Sequence, residues 1–327
     1  MAMKTGLNPY GLTYYLGMQG AGTPRANPNP AGLEGFIALG EELGARVLEI
    51  WQGWLTPLDA TGLAALGARL KSLGMQPVIS SRLDAADFAK SLAAAEALDA
   101  DTIRLSLTSV LCGDRHLLGD EWPELVDSVR QRLSVNARMA EKAGRRIVIE
   151  NHQDFTSREL VGFCEELGPA VGIVFDTGNA FPVAEAPLSF TETIAPHVRH
   201  VHLKDYRVQM TGEGFRLVRC AIGDGAVPLA EVLAILARHN DDLTAVLEPG
   251  ALEARHVRLF LPQWWQHYES RPATELAACL LATRRHALPE DADHRTPWES
   301  GDDDELAEYE LKMIRRSAAN MRALGLW

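Results

Sequence analysis

The chain has 327 residues, of which 46% are hydrophobic and 23% are charged, and its formal net charge is -12. This composition is typical of a globular protein, and the length accommodates one large α/β barrel. The negative charge argues against a nucleic-acid partner, because binding a phosphate backbone requires clustered positive charge. The N-terminus lacks an apolar signal core and no apolar run is long enough to span a bilayer, so we expect a cytoplasmic protein without membrane attachment.

Eight short apolar runs alternate with stretches of helical periodicity along the first 250 residues. In chain order the runs are TGLNPYGLTYY, RVLEIW, QPVISS, DTIRLSL, RIVIEN, VGIVFDTGN, VRHVHLKD and TAVLEPG. Several of the intervening stretches end in glycine directly before the next run, which is typical of a helix C-terminus. Strands that alternate with helices pair in parallel, and eight of them predict a closed (β/α)8 TIM barrel. A doubly wound open sheet is the alternative, but no G-x-G-x-x-G follows the first run.

Two segments depart from this alternation. Residues 207–228 lie between the seventh strand and the helix that follows it, and they predict a hairpin insertion on the loop face of the barrel. Residues 251–327 predict a helical C-terminal extension, whose final segment ELAEYELKMIRRSAANMRALGL has the pattern of an amphipathic helix that closes the outer layer. We therefore expect a single TIM-barrel domain over residues 1–327, with the barrel strands at about residues 5–250.

Side chains that can bind a metal follow four consecutive predicted strands. Glu150 ends the fifth strand, Asp176 the sixth, His202 the seventh and Glu248 the eighth. The C-terminal ends of barrel strands surround one opening, where TIM barrels carry their catalytic groups. A single carboxylate at a strand end is usually solvated or caps a helix, but three carboxylates at one level repel one another unless a cation binds. The set predicts a divalent ion, and oxygen-rich donors with one imidazole suit Mn²⁺, Mg²⁺, Co²⁺ or Fe²⁺.

A metal in an open site would polarise the carbonyl of a bound substrate. It would bind the carbonyl and the adjacent hydroxyl and stabilise the enediolate that forms when the neighbouring carbon loses a proton. Glu150 and Glu248 are candidate acid–base residues. His152 is a third candidate catalytic residue, because the unperturbed pKa of imidazole is about 6.5. An isomerase would return the proton to the sugar, whereas a lyase would expel a group from the carbon next to the carbanion.

Further side chains near the strand ends are candidate substrate contacts. Trp51 and Trp54 follow the second strand and would stack on a sugar or an aromatic aglycone, although packing in the core explains them equally well. Arg82, Arg115 and His116 follow the third and fourth strands and are candidates for an anionic group. The remaining candidates follow the last three strands and are Asn179, Lys204, Arg255 and His256. No phosphate-binding motif is present, which favours an unphosphorylated substrate.

The motifs IEN, FDTGN, VHLKD and LEPG, in this order, resemble the xylose-isomerase-like TIM-barrel superfamily of sugar phosphate isomerases and epimerases. The resemblance covers about residues 5–250. It implies one divalent ion, often Mn²⁺, bound by Glu150, Asp176, His202 and Glu248. It also implies that Asp205 orients the ligating imidazole. Ketose 3-epimerases of this superfamily have a histidine three residues after the aspartate of the sixth strand, whereas this sequence has Asn179.

A narrower resemblance concerns the large catalytic subunits of C-glycoside deglycosidases. It is carried by the start GLNPYGLTYY…GAGTPRANPNPAGLEGF, by the pair Glu150 and His152, and by the segments ARHVR and WW of the tail. It implies cleavage of the C–C bond of a 3-oxo-glycoside by elimination, together with a small β-sandwich partner subunit. We also expect an oligomer.

Three alternatives to this lyase activity remain open. The first is an isomerase or epimerase that interconverts ketoses, and the second is a non-catalytic sugar-binding barrel. The third, an abasic-site endonuclease, requires histidine ligands from early strands, which LEIWQGW and VISSRLD do not contain.

Overall fold

The computed structural model describes residues 3–83 and 85–327, and its centre is a closed barrel of parallel strands. The strands are β1 (Lys4–Leu7), β2 (Val47–Trp51), β3 (Gln76–Arg82), β4 (Thr102–Ser106), β5 (Arg146–Glu150), β6 (Val171–Asp176), β7 (Val198–Leu203), β8 (Tyr206–Thr211), β9 (Gly214–Arg219), β10 (Thr244–Leu247), β11 (Arg255–Val257) and β12 (Ala287–Leu288). Strands β1 to β7 and β10 form the barrel, which closes because β1 pairs with both β2 and β10. The predicted (β/α)8 TIM barrel is confirmed.

Helices connect the barrel strands and cover them. The helices are α1 (Gly32–Leu43), α2 (Gln52–Leu55), α3 (Ala60–Ser72), α4 (Ala85–Leu98), α5 (Glu121–Lys142), α6 (Ser157–Leu167), α7 (Pro187–Ile194), α8 (Leu229–Ala237), α9 (Ala273–Arg285), α10 (Pro297–Ser300) and α11 (Leu306–Ala323). Helix α1 is followed by Gly44, whose φ of 75° lies in the left-handed region that glycine adopts without steric cost. The predicted glycine termination is therefore observed at this helix.

A register shift between β6 and β7 determines which side chains of β7 face the barrel interior at the level of the site. The shift lies between Ile173 and Val174, and beyond it Asp176 pairs with His202. Continuing the earlier register would pair Asp176 with Val201 instead. Because successive side chains of a strand point to opposite faces, a slip of one residue would remove the imidazole from this level.

The predicted hairpin insertion is present, and it is part of a second, smaller sheet. Strands β8 and β9 pair in antiparallel orientation, β11 extends the sheet beside β9, and β12 runs parallel to β8. Both outer strands belong to the C-terminal extension. The extension, which we predicted to be helical, thus also contributes two short strands.

Helix α11 packs against the barrel with its apolar face. Ile314, Ala318 and Met321 are fully buried in the same hydrophobic cluster as the barrel strands. Glu310, four residues before Ile314 on the same helix, accepts the backbone N–H of Tyr15 at its Oε2 over 2.8 Å. None of the helices within residues 3–83 and 85–327 combines the length and the apolar composition that crossing a membrane requires.

We propose that the extension and the barrel unfold together as one domain, and Trp264 tests this. The Trp264 side chain is fully buried, its ring stacks on Tyr268, and its Nε1–H donates to the carbonyl of Cys112 over 3.0 Å. Replacing it with alanine is expected to lower the free energy of unfolding by about 3–5 kcal/mol in urea denaturation. Leu281→Ala, at an exposed position of α9, is expected to change it by less than about 0.5 kcal/mol. A separate early transition that Trp264→Ala alone shifts would contradict the single domain.

Candidate metal centre

The four predicted ligands converge at the C-terminal ends of the barrel strands. Glu150, Asp176, His202 and Glu248 are called the cluster below. Glu150 and Asp176 end β5 and β6, His202 lies near the end of β7, and Glu248 follows β10. One possible ligand atom from each side chain lies within 4.8 Å of those of the other three, and all four residues are buried. Parallel strands of a barrel present their last side chains at a common rim, which explains why residues distant in sequence meet here.

The His202 imidazole makes carboxylate contacts through both ring nitrogens. Its Nδ1 lies 3.0 Å from Glu150 Oε1 and 2.8 Å from Glu248 Oε2, and its Nε2 lies 2.6 Å from Glu49 Oε2. Burial disfavours the imidazolium, but the charges of Glu49 and Glu248 outweigh burial and hold the pKa of His202 well above its usual range. Without a bound cation, this imidazole therefore carries part of the charge that balances the carboxylates.

Lys204 is, after His202, the second buried cation that contacts carboxylates of the cluster. Its ammonium contacts the carboxylate of Asp176 and lies 2.7 Å from Glu248 Oε1. Burial raises the pKa of Asp176 to about 7, although the Lys204 ammonium opposes the shift. The amide of Asn179 donates to Asp176 Oδ2 over 2.7 Å, so Asn179 contacts a predicted ligand.

Glu150 is held by charges on two sides. Arg104, from the middle of β4, forms a buried ion pair with Glu150, and His202 contacts the other carboxylate oxygen. Burial alone would raise the pKa of Glu150, but the Arg104 guanidinium and the bond to His202 lower it well below its usual range. Glu150 is therefore ionised at neutral pH, which is the form that binds a metal.

Our sequence analysis missed Glu49 and Arg104. Both lie in the middle of apolar strands, β2 and β4, and both are buried. The available signal was a charge inside a buried strand, since such a charge requires a partner of opposite sign. The partners lie on other strands, which is why only the tertiary structure identifies them.

The donor set fits a divalent ion. Metal–oxygen distances of about 2.1 Å require the ligand atoms of one ion to lie close together, and one donor atom from each of the four side chains lies within 4.8 Å of the others. Three carboxylates and one imidazole match the ions that prefer oxygen ligands.

A cavity of about 300 Å³ lies at the cluster. Glu248 and Lys204 line it, as do Arg82, Arg104 and Arg255. Arg255 thus lies where the sequence analysis predicted a substrate contact. The positive lining favours a substrate that is negatively charged or becomes so during the reaction.

His152 also lines this cavity, and it is half-buried. Its Nδ1 has no hydrogen-bond partner among the described residues. Burial lowers the pKa of His152 to about 4, although the Glu150 carboxylate opposes the shift. The imidazole is therefore neutral at neutral pH.

The two tryptophans of the second strand have different surroundings. Trp51 lines a cavity of about 330 Å³ that shares Tyr10 and Arg82 with the cavity at the cluster. Trp54 instead packs on Phe36, with ring centroids 5.6 Å apart, and on the main core. Trp51 thus stays a candidate substrate contact, whereas the surroundings of the partly buried Trp54 favour the alternative of packing against the core.

Two other predicted contact regions lie away from the cluster. His256 belongs to β11, where its Nε2 lies 2.9 Å from Thr211 Oγ1, and it does not line the cavity at the cluster. Arg115 is fully buried and donates to Glu159 and to the carbonyl of His267. Arg115 is thus used within the protein, where it attaches the extension to the barrel. His256 belongs to the small sheet, and its substrate contact stays a prediction.

Asp205 organises a loop and does not orient an imidazole. Its Oδ2 accepts backbone N–H bonds from Gly223 and Gly225, and its Oδ1 accepts one from Val227. A Cβ at Gly225 would lie 2.3 Å from Asp205 Oδ1, so only glycine allows this approach. The prediction that Asp205 orients His202 is therefore wrong, because its carboxylate is used by the backbone after the hairpin.

Comparison with known proteins agrees with the fold and the strand-end motifs. The model of one protein family, described as xylose isomerase-like TIM barrel, matches residues 37–264. The chain belongs to the xylose isomerase-like TIM barrel family. That matched range contains all four carboxylate and imidazole side chains of the cluster.

Related sequences of this family include enzymes with different reactions. The chain is 25% identical over 248 residues to the 3-oxo-isoapionate decarboxylase of Pectobacterium atrosepticum, covering 73% of this chain and 86% of the relative. It is 26% identical over 205 residues to the YihM protein of Escherichia coli, covering 60% and 58%. It is 30% identical over 136 residues to an inosose dehydratase of Bacillus anthracis, covering 37% and 44%. The match thus spans little more than half of the YihM protein and less than half of the dehydratase.

Solved structures share the fold at low sequence identity. The D-psicose 3-epimerase of Clostridium cellulolyticum H10, solved with D-tagatose, superposes with a TM-score of 0.57 at 17% identity, covering 97% of this chain and 99% of the epimerase. The IOLI protein, solved with a zinc atom, superposes with a TM-score of 0.52 at 14% identity, covering 87% and 96%.

Proposed function

We propose that this protein is a divalent-metal-dependent lyase that removes a proton next to the carbonyl of a 3-oxo-glycoside and expels the aglycone by elimination. The observation that carries the proposal is the buried cluster of Glu150, Asp176, His202 and Glu248 beside a cavity that also contains His152. The relatives support the coarser part of the proposal, an enzyme acting on keto-sugar derivatives, because they include a dehydratase and a decarboxylase. The zinc atom of the IOLI protein supports a metal in a barrel of this fold.

The metal ligands and the residues that line the cavity would have different roles in the reaction. A divalent ion, when bound, supplies Lewis-acid stabilisation of negative charge on the substrate carbonyl oxygen. Arg104 and the Asn179 amide hold Glu150 and Asp176 in position to bind it. Lys204 and Arg255 line the cavity and add positive charge where the enediolate forms. Mn²⁺ is the ion that we expect.

The elimination balances with His152 as the proton carrier. The neutral imidazole accepts the proton from C2 at its unprotonated ring nitrogen, and the C–H electron pair moves into the enediolate. The pair then forms the C1–C2 double bond as the bond from C1 to the aglycone breaks. The imidazolium returns the proton to the aglycone atom that leaves with the electron pair, so no proton is gained or lost overall.

An epimerase that interconverts ketoses is the second candidate. The structural similarity to a D-psicose 3-epimerase favours it. This reaction needs two groups that exchange a proton across the sugar. The buried ion pair with Arg104 engages one carboxylate oxygen of Glu150, which makes Glu150 a weak partner for Glu248 in such an exchange. We therefore rank the lyase first.

The metal content of the purified protein tests both candidate functions, because each requires a bound divalent ion. Elemental analysis of purified protein is expected to give about one divalent ion per chain, since four donors enclose one position. Removing the ion with a chelator is expected to abolish activity, and Mn²⁺ is expected to restore it. Asp176→Asn should bind less metal, whereas Glu185→Gln, at a buried carboxylate that bonds Ser157, should bind as much as the wild type. Full activity of metal-free protein would refute the proposal.

A further inference from the structure

We propose that Glu49 is a positioning residue that holds His202 in the tautomer and orientation needed to bind the metal. The inference rests on the proposed metal site. Glu49 lies on β2, is fully buried, and has no cavity contact that would let it reach a substrate. Its Oε2 lies 2.6 Å from His202 Nε2. This is the contact that the sequence analysis assigned to Asp205.

The two nitrogens of the His202 ring have separate tasks. Nδ1 points toward the carboxylates of Glu150 and Glu248, so it is the nitrogen that can bind the ion. A metal-binding nitrogen must be unprotonated, and the proton of a neutral imidazole then lies on Nε2. That N–H needs an acceptor, and Glu49 Oε2 is within hydrogen-bonding distance. Ligating histidines commonly donate their second N–H to a carboxylate, which fixes the ring and makes the ligand more basic.

Glu49 is itself held in place from the other side. His200 Nε2 lies 3.4 Å from the same carboxylate oxygen, and His200 Nδ1 lies 2.6 Å from Thr244 Oγ1. Arg104 Nε lies 3.9 Å from Glu49 Oε1. Oε2 of the carboxylate thus lies beside two imidazoles. Oε1 has no hydrogen-bond partner among the described residues, and the nearby charge of Arg104 lowers the cost of burying it. These contacts connect β2, β4, β7 and β10 below the cluster.

A second metal bound by Glu49, His200 and His202 is the competing explanation, since these three side chains also lie close together. The donor sets favour the hydrogen bond. The cluster of Glu150, Asp176, His202 and Glu248 offers three carboxylates and one imidazole, whereas this group offers one carboxylate and two imidazoles, so an ion that prefers oxygen ligands fits the cluster better. Glu49 Oε2 and His202 Nε2 are 2.6 Å apart, which is a hydrogen-bond length.

The first test is calorimetric titration of metal-free protein with Mn²⁺. Glu49→Gln keeps the size of the side chain but removes its charge, and it is expected to weaken Mn²⁺ binding 10–100-fold while about one ion per chain still binds. Glu185→Gln removes another buried carboxylate and is expected to bind Mn²⁺ as the wild type does. Equal affinity of Glu49→Gln and the wild type would refute the inference. A wild type with two ions and a variant with one would show a second metal site instead.

The second test uses the wild type and does not depend on whether the variant folds. Nitrogen NMR of ¹⁵N-histidine-labelled protein loaded with Zn²⁺ is expected to show the His202 proton on Nε2, with the shift of a hydrogen-bonded N–H. A proton on Nδ1, or a freely exchanging N–H, would overturn the role of Glu49. If the wild type binds no divalent ion at all, the proposed function fails and the metal site with it, which separates the two outcomes.

Discussion

Replacing Glu248 with glutamine is expected to lower kcat/KM by about a hundredfold or more, the usual scale for losing an acid–base group or its charge. Glu248 contacts both internal cations of the cluster, lying 2.7 Å from Lys204 Nζ and 2.8 Å from His202 Nδ1. It also lines the cavity. Glutamine preserves the shape but can neither accept a proton nor neutralise these cations. Steady-state kinetics on metal-saturated protein would measure the loss.

The matched control for Glu248→Gln is Asp241→Asn. Asp241 is exposed on the loop before β10, and the same loss of a carboxylate there should leave kcat/KM unchanged. A parallel Mn²⁺ titration separates the two contributions of Glu248. A variant that binds Mn²⁺ normally but turns over slowly has lost proton transfer or charge stabilisation, whereas one that binds weakly has lost a ligand. Equal activities of the Glu248 and Asp241 variants would mean that Glu248 does not act at the site.

Replacing His152 with alanine is expected to leave metal binding intact and to remove nearly all aglycone release from a 3-oxo-glycoside. The expected loss in kcat is about 10²–10⁴-fold, because His152 would be the group that carries the proton from the sugar to the aglycone. His152 lines the cavity and its Nδ1 has no hydrogen-bond partner among the described residues, so the substitution breaks no hydrogen bond of that atom. His239→Ala, at an exposed position after α8, is the control and should behave as the wild type.

The same pair of variants distinguishes the lyase from the epimerase. Wild type, His152→Ala and His239→Ala would each be incubated with a 3-oxo-glycoside and with simple ketoses, following aglycone release and epimer formation separately. The lyase predicts aglycone release that depends on His152. Rapid epimerisation of ketoses without aglycone release, unchanged in His152→Ala, would overturn the lyase and support the epimerase. Reconstitution with a small β-sandwich subunit, if one co-purifies, would show whether the expected partner is needed.

The architecture and the four candidate ligands could be predicted from the sequence alone because they follow from local patterns. Apolar runs and helical stretches alternate, which predicts the barrel, and Glu150, Asp176, His202 and Glu248 lie at or near the ends of such runs. The rule that the ends of parallel strands surround one opening then brings them together without any knowledge of distances. The hairpin after β7 was predicted in the same way, from a polar, glycine-containing segment that interrupts the alternation.

Only the tertiary structure shows which residues pair with the charged side chains buried inside the strands. Glu49 and Arg104 are charges inside apolar strands, and the sequence indicates only that each needs a partner. Their partners, His202 and Glu150, lie on strands β7 and β5, and strand register sets those contacts. The family resemblance implied that Asp205 orients His202, but backbone N–H groups of the loop after the hairpin donate to its carboxylate.

By itself, the sequence determined the barrel, the level of the site along it and the chemical type of its donors, because periodicity and strand ends are local properties of the chain. Only the tertiary structure decided which imidazole nitrogen faces the carboxylates and which carboxylate lies behind it. One cause is the register shift at Ile173 and Val174, which sets His202 rather than Val201 opposite Asp176. Register depends on packing between strands, and the pattern of a single strand does not contain it.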